Sequence, residues 1–190
     1  MTVMKLEALN PTLWRTCRVL ANKKRLLVLR ELGLRPEQRV SGIAHRLGLS
    51  PSLASQALRA LNARGLLRAR RVGKYVYYIP GANRSIPNSD RLLQVIQKEF
   101  ANDKKPSINI FQYCTAFTHP RRILIIKTLC NDPMQLKDIA FKTKIPTSAL
   151  DRHLRKLIDR GFVSHADGRY ACSVPRNQFA RVLLHFAKHA

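Results

Sequence analysis

A short segment of this chain carries polar side chains at a helical spacing. Four of them share one arc of a helix with about 100° per residue: Ser52, Ser55, Gln56 and Arg59. The opposite arc is apolar and consists of Ala54, Leu58 and Leu61. Gln and Arg are the side chains that read adenine and guanine edges through paired hydrogen bonds, and Ser adds a short donor and acceptor. The spacing therefore predicts a helix that buries one side and contacts a patterned polar surface with the other.

A basic run follows this helix directly. The residues "RARRVGKYVYY" alternate in a manner typical of β-strands and are interrupted by Gly73, which predicts a tight hairpin. The basic side chains of this hairpin are Arg68, Arg70, Arg71 and Lys74. Such side chains contact phosphates, which provides affinity and register but little sequence information.

The chain repeats itself once. Residues 14–80 align with residues 111–175 through identities such as Cys17 with Cys114, Ser52 with Ser148, Arg59 with Arg155, and Gly65 with Gly161. A period of this length with only two units indicates duplicated domains and not a solenoid.

Both copies predict the same order of elements. Two helices precede a short helix, a three-residue turn, the polar-faced helix and a β-hairpin, which is the order of a winged helix-turn-helix. The predicted fold class is mainly α with small β-hairpins: two tandem winged helix-turn-helix domains, each with a trailing helix, arranged as an internal pseudo-dimer. The predicted domains are 1–83, an N-terminal winged helix-turn-helix; 84–107, a trailing helix and linker; and 108–190, a C-terminal winged helix-turn-helix with a terminal helix.

The two trailing helices are amphipathic, and we expect their apolar stripes to pack on one another. The stripes are Leu92, Leu93, Val95 and Ile96 in the first helix and Phe179, Val182, Leu183 and Phe186 in the second. Left exposed, such stripes would cost ~25 cal/mol per Å² of apolar surface.

These motifs together resemble the ArsR-type family of bacterial repressors. The segments that carry the resemblance are "LANKKRLLVLREL" and "GIAHRLGLSPSLASQALRALNARGLLRARRVGKYVYY" in the first copy, and, in a looser likeness, "RHLRKLIDRGFV" in the second. The resemblance implies a dimer formed through first and last helices, with one recognition helix per half in the major groove of DNA. By position it implies DNA contacts from Ser52, Ser55, Gln56, Arg59, Arg70, Arg71 and Lys74, and from Thr147, Ser148, Arg152, His153, Arg155 and, in a shorter wing, Arg169.

The chain departs from the family in two respects. Some metal-sensing members carry a Cys-x-Cys-type motif in the helix before the turn, where this chain has "VSGIA". Others bind zinc through Asp and His in the last helix, where this chain has only His185 and His189. The family unit also has one winged helix per chain, whereas this sequence predicts two.

The second copy has an acidic residue on its predicted contact face. Asp151 occupies the place of Ser55, where a carboxylate accepts a hydrogen bond from cytosine but repels phosphate. We therefore expect weaker DNA binding by the second copy.

Composition narrows the class of partner. The chain has 35 Lys and Arg against 11 Asp and Glu, a net charge of +24, which suits nucleic acid, an anionic membrane or an acidic protein. Aliphatic runs are too short to span a membrane, and "MTVMKLEALN" lacks the apolar core of a signal peptide, so we expect a cytoplasmic protein associated with a bacterial-type nucleoid.

No cofactor, metal or catalytic activity is predicted. The four cysteines are scattered without C-x-C or C-x-x-C pairs, which indicates buried thiols in a reducing compartment. No phosphate loop, dinucleotide loop or catalytic triad is present.

The sequence therefore predicts a sequence-specific transcriptional regulator that binds double-stranded DNA as a fused pseudo-dimer on an imperfectly palindromic operator. Further self-association of the chain is left open. Two alternatives remain at this point: a structural or interaction protein like the tandem winged-helix accessory subunits of condensin, and a replication initiator of plasmid or phage type.

Overall fold

The structure is a computed structural model that describes residues 12–102 and 106–190. Two predictions fall on residues outside these ranges: the absence of a signal peptide, which rests on residues 1–10, and the middle of the predicted linker, residues 103–105. The described residues form two compact units. Unit 1 contains Asn22–Phe111, and unit 2 contains Leu13–Ala21 together with Gln112–Ala190.

Unit 1 has the element order of a winged helix-turn-helix followed by a helix. Its elements are α2 (Lys23–Leu34), β1 (Gln38–Arg39), α3 (Val40–Leu47), α4 (Pro51–Asn62), β2 (Leu67–Val72), β3 (Tyr75–Pro80) and α5 (Ser89–Asn102). The three strands form an antiparallel sheet in the order β1-β3-β2, with Arg70 opposite Tyr77 and Val72 opposite Tyr75. The tight turn between β2 and β3 contains Gly73 at φ 57°, as the predicted hairpin requires.

Unit 2 repeats most of this order and adds the first helix of the described chain. Its elements are α1 (Leu13–Leu20), the end of α6 (Pro106–Ala116), α7 (Pro120–Leu129), α8 (Leu136–Thr143), α9 (Thr147–Asp159), β4 (Val163–Ala166), β5 (Arg169–Cys172) and α10 (Gln178–Lys188). The strands β4 and β5 form a two-stranded antiparallel sheet, so this wing is shorter than the first, as predicted.

Side-chain caps fix the start of the helix that opens each motif. In unit 1 the Asn22 Oδ1 accepts a hydrogen bond from the Arg25 backbone N–H at 3.0 Å. In unit 2 the His119 Nδ1 accepts from the Arg121 N–H at 3.1 Å, and Pro120 occupies the first helical turn. Asn22 as an N-cap and Pro120 in a first helical turn predict these two starts from the sequence alone, and the structure confirms both.

The polar-faced helices α4 and α9 are held by their apolar sides. Ala54, Leu58 and Leu61 have no exposed surface, and α4 packs with these residues on α2 and α3. In unit 2 Leu154 and Leu157 are equally buried where α9 packs on α7 and α8. Burying a leucine contributes roughly 1.5–3 kcal/mol, so the orientation of each helix is strongly determined.

Three local features differ from the sequence prediction. The two-residue strand β1 was not anticipated, because such a short strand has no periodicity of its own. The helix α5 continues to Asn102, and Pro106 begins the next helix instead of ending a linker, since proline is well tolerated in a first helical turn. The sequence predicts strands over 66–69 and 75–79, whereas β2 begins at Leu67 and continues to Val72, and β3 continues to Pro80.

The packing of α1 was not expected from the order of the motifs. Cys17 and Leu20 on this helix have no exposed surface, and the helix belongs to unit 2, although it precedes the first motif in the chain. This grouping describes packing, so the predicted motif boundaries at 83/84 and 107/108 stay a prediction. The apolar stripes of α5 and α10 are buried, and their mutual packing also stays a prediction. No helix in the described part of the chain is long and apolar enough to cross a membrane.

Two equivalent glycines offer a matched test of the turn after the polar-faced helices. Gly65 (φ 69°) and Gly161 (φ 73°) are both left-handed, but a Cβ on Gly65 would lie 3.0 Å from the Ile86 side chain, whereas one on Gly161 would meet nothing within 4 Å. We expect G161A to lower the free energy of unfolding by about 1 kcal/mol through backbone strain alone. G65A should cost at least about 1 kcal/mol more, because the neighbouring side chains must also move.

The measurement is denaturant unfolding of the full chain, with hydrogen exchange resolving unit 1 from unit 2. Equal losses for the two variants would show that the contacts of Gly65 with Ile86 and Ser89 do not constrain this turn.

Candidate nucleic-acid interface

The first polar face lies on α4 and consists of Ser52, Ser55, Gln56 and Arg59. Ser52, Gln56 and Arg59 are exposed, and Ser55 is half-buried. The Gln56 Nε2 donates a hydrogen bond to the Ser52 Oγ at 3.2 Å, which orients the amide along the helix surface. At the start of the helix, the Ser50 Oγ accepts from the Leu53 N–H at 3.3 Å, as an N-cap does.

The second polar face lies on α9 and consists of Ser148, Asp151, Arg152 and Arg155. Ser148, Arg152 and Arg155 are exposed, as is Thr147 at the first position of the helix. The Asp151 Oδ2 pairs with the Arg155 Nη2 at 2.6 Å, one turn further along the helix. This carboxylate therefore faces a guanidinium on its own helix, and the prediction that Asp151 shares the arc of the contact residues is confirmed.

His153 does not share that arc. Its ring is half-buried and lies 4.7 Å from the ring of His119 at the start of α7, on the packed side of α9. The helical spacing explains this, since residue 153 follows Ser148 by five positions, or about 140° around the helix. Its equivalent in the first copy is Ala57, which is buried. The internal repeat therefore held the signal that separates His153 from the other predicted contact residues.

The two histidines lie in a strongly positive environment. Desolvation lowers the pKa of His153 to about 4, assisted by His119 and by Arg122, Arg121 and Arg152. Desolvation also lowers the pKa of His119, with Arg122, Arg121 and Arg18 adding to the effect. Because the His119 Nδ1 accepts the Arg121 N–H, the neutral ring carries its proton on Nε2.

The first wing presents exposed basic side chains, as predicted. Arg68, Arg70, Arg71 and Lys74 are all exposed, but they do not have equivalent surroundings. Arg70 pairs with Glu37, and the Arg71 Nε donates to the Gly73 carbonyl at 3.3 Å near the wing tip. Arg68 lies at the base of the wing against Gly81. The structure thus separates Arg71 and Lys74 at the tip from Arg68 at the base.

A groove of about 390 Å³ lies where the first wing meets α3 and the start of α4. It is lined by Arg39, Val40, Ser41, Pro51, Lys74, Tyr75 and Val76. The Arg39 guanidinium lies 4.7 Å and the Lys74 ammonium 5.4 Å from the centre of the Tyr75 ring. Arg39 was missed in the sequence, because its equivalent in the second copy is Gln135 and the repeat gives no signal there.

The second wing has fewer basic groups. Arg169 is exposed, and its Nη1 donates to the Pro133 carbonyl at 3.3 Å. His165 and Tyr170 stack across the two strands with ring centroids 4.2 Å apart. The side chains of this wing thus contact other residues of unit 2, and the wing presents fewer basic groups than the first.

The cysteines form two close pairs within unit 2. Cys17 and Cys114 are fully buried; burial raises the pKa of the Cys114 thiol, and the neighbouring Cys17 raises it further. Cys130 and Cys172 are half-buried, and burial raises the pKa of Cys172, which is hydrogen-bonded with Cys130. Within residues 12–102 and 106–190, no three His, Cys, Asp or Glu side chains converge as a metal site would require.

Comparison with known proteins relates part of unit 2 to a family. A family model described as bacterial regulatory protein, arsR family, matches residues 119–165, from the cap of α7 to β4. This segment is similar to an ArsR-type helix-turn-helix. The nodulation protein NolR of Rhizobium meliloti is 44% identical to the chain over 59 residues, which are 31% of the chain and 48% of NolR. The chain thus spans about half the length of this curated relative. The family match lies in the copy for which we expected the looser likeness, and the ArsR-like character of the first copy stays a prediction.

The half-buried pair of His119 and His153 predicts a pH dependence of stability. The pKa of His153 is about 4 in the folded chain and ordinarily about 6.5 in an unfolded one, so between these values the unfolded state binds more protons. We expect unit 2 to lose stability as the pH falls from about 6.5 towards 4. H153A, which introduces the residue found at position 57, should reduce this loss.

Hydrogen exchange of unit 2 at pH 7, 5.5 and 4.5 measures the effect, with H189A as a control that removes an exposed histidine. An unchanged pH dependence in H153A would contradict a role for the His119–His153 pair.

Proposed function

We propose that the chain is a sequence-specific regulator of transcription that binds double-stranded DNA through both polar faces and both wings. The observation that carries the proposal is the exposed, hydrogen-bonding face of α9, within the segment that resembles the arsR family model. The second supporting observation is that α4, in the same order of elements, exposes an equivalent face next to a basic wing. Side chains on such faces reach base edges, while wing cations contact phosphates.

We further propose that the two halves act as a fused pseudo-dimer on an imperfectly palindromic operator. Cys17 and Cys114 occupy equivalent positions of the repeat and are in contact in unit 2. In a two-fold arrangement, equivalent residues meet at the axis. The contact between these two cysteines therefore supports the proposal. The apolar stripes of α5 and α10 are the surfaces expected to complete the arrangement. Fusion would make the second half-site contact intramolecular, so that two chains need not meet on the DNA.

The charge of the chain distinguishes this proposal from the first alternative. A structural or interaction protein would not need a net charge of +24 or an arginine-rich wing. A replication initiator would also bind DNA, but on repeated sites instead of one paired site. A cytoplasmic, nucleoid-associated location follows from the proposed function and stays a prediction, as does the absence of enzymatic activity.

The sequence-independent and the base-specific components of DNA binding can be measured on one set of variants. Selection from a random double-stranded pool should yield a paired, imperfectly symmetric site that one chain saturates. R71A or K74A should weaken binding about equally on all sequences and reduce the slope of log K against log salt by ~1. Q56A and R59A should instead relax base preference, at ~1–3 kcal/mol for a bidentate contact.

R181A, which removes an exposed charge from α10, is the control for charge loss away from the wings. A chain that selects no DNA would favour an interaction protein. Selection of several direct repeats would favour an initiator, and an equal loss on every sequence for Q56A and R59A would show that these residues do not read bases.

Control of DNA binding by metal or thiol redox is not expected. A sensor needs several convergent ligands or reactive thiols, whereas Cys17 and Cys114 are buried, and burial raises the pKa of the Cys114 thiol and so suppresses the reactive thiolate. We expect DNA affinity to be unchanged by zinc, by a chelator or by a mild oxidant. A shift of more than tenfold that is abolished by C17S, C130S or H185A would contradict this expectation and identify the responsible group.

A further inference from the structure

We propose that residues 151 and 152 make the two halves of the operator differ at the base pairs that they read. This inference rests on the proposed function, since it assigns base preferences to the two polar faces. The faces are related position by position through the repeat: Ser52 with Ser148, Ser55 with Asp151, Gln56 with Arg152, and Arg59 with Arg155. Two of the four pairs are identical, so within these four pairs the faces differ only at the two middle positions.

The first polar face presents both donors and acceptors. The Gln56 amide donates one N–H to the Ser52 Oγ at 3.2 Å, which leaves its carbonyl oxygen and its second N–H for a ligand. That combination matches adenine, which offers an N6–H donor and an N7 acceptor in the major groove. Arg59, one turn along, carries only donors and matches the O6 and N7 acceptors of guanine.

The second polar face separates donors and acceptors onto different side chains. Arg152 and Arg155 carry only donors, and Asp151 carries only acceptors while it is ionised. The Asp151 carboxylate holds the Arg155 guanidinium at 2.6 Å, so Asp151 is a positioning residue for Arg155 as well as a candidate ligand for the cytosine N4–H. This face therefore matches guanine at the place where the first face matches adenine, with cytosine preferred next to it.

Two double variants exchange the side chains of the two faces without changing the net charge of the chain. The double variant D151S/R152Q gives α9 the same four side chains as α4, and it removes one negative and one positive charge, so the net charge of +24 is unchanged. Non-specific affinity and its salt dependence, which follow the number of phosphate contacts, should thus stay nearly constant. The reciprocal variant S55D/Q56R gives α4 the four side chains of α9.

The test is selection from a random double-stranded DNA pool with the full-length chain and both double variants. The native chain should select one half-site with adenine and one with guanine at the position read by residue 56 or 152. D151S/R152Q should select adenine at this position in both halves, and S55D/Q56R should select guanine at this position in both halves. The preference at the altered position should reverse by roughly five- to 150-fold, the range for one bidentate contact.

A matched control is K137Q/D138S, which removes an adjacent, exposed, oppositely charged pair from α8 and should leave the selected site unchanged. The single variant D151N separates the roles of Asp151, because an amide retains an acceptor but loses the ionic attraction to Arg155. It should weaken the guanine preference of Arg155, an effect that a merely structural role would not produce.

The outcomes distinguish failure of the proposed function from failure of the inference about residues 151 and 152. If the native chain selects no DNA, the proposed function itself fails. If it selects a site but the double variants select the same site, the function stands and residues 151 and 152 do not determine the difference. A native site with a single half would also overturn the inference, because the second polar face would then not read DNA.

Discussion

The apolar side of each polar-faced helix must be covered before its polar side can face a ligand. Leu58 and Leu61 in α4, and Leu154 and Leu157 in α9, provide this constraint, because they have almost no exposed surface. Rotation of either helix by one residue would bring a polar side chain into the core and expose a leucine. The two helices that precede each polar-faced helix, their caps and the glycine that follows it all serve this one orientation, and the exposed serines, glutamine and arginines are its consequence.

Much of the fold could be predicted because it depends on local signals. Asn22, His119 and Pro120 indicated helix starts, and the glycine pairs marked turns, since caps and left-handed residues act over a few positions. The strand β1 and the packing of α1 in unit 2 could not be predicted, because they depend on contacts made far along the chain. His153 lies off the arc of the other predicted contact residues, a difference that helical phase indicates and family position does not. The pairing of Asp151 with Arg155 and of Arg70 with Glu37 needed side-chain conformations that no sequence pattern specifies.

Acidic residues have an unusual role on so basic a surface. Glu37 meets Arg70 on the first wing, and Asp151 meets Arg155 on α9. Exposed ion pairs of this kind contribute at most about 1 kcal/mol, so they do little for stability and are readily exchanged for another anion. Their effect is to direct a flexible guanidinium while the surface is unoccupied. A phosphate or a base edge would then meet side chains that have already lost part of their conformational freedom.

The position of α1 has a consequence for the order in which the chain folds during synthesis. Its buried residues Cys17 and Leu20 belong to the core of unit 2, whose remaining residues begin at Gln112. At about 5–20 residues per second, a ribosome needs several seconds or more to reach them, and unit 1 is completed during that interval. This helix therefore emerges long before the residues that complete its core. Until then its apolar side is open to chaperones, proteases and other nascent chains, so slow translation near the middle of the message would prolong the vulnerable period.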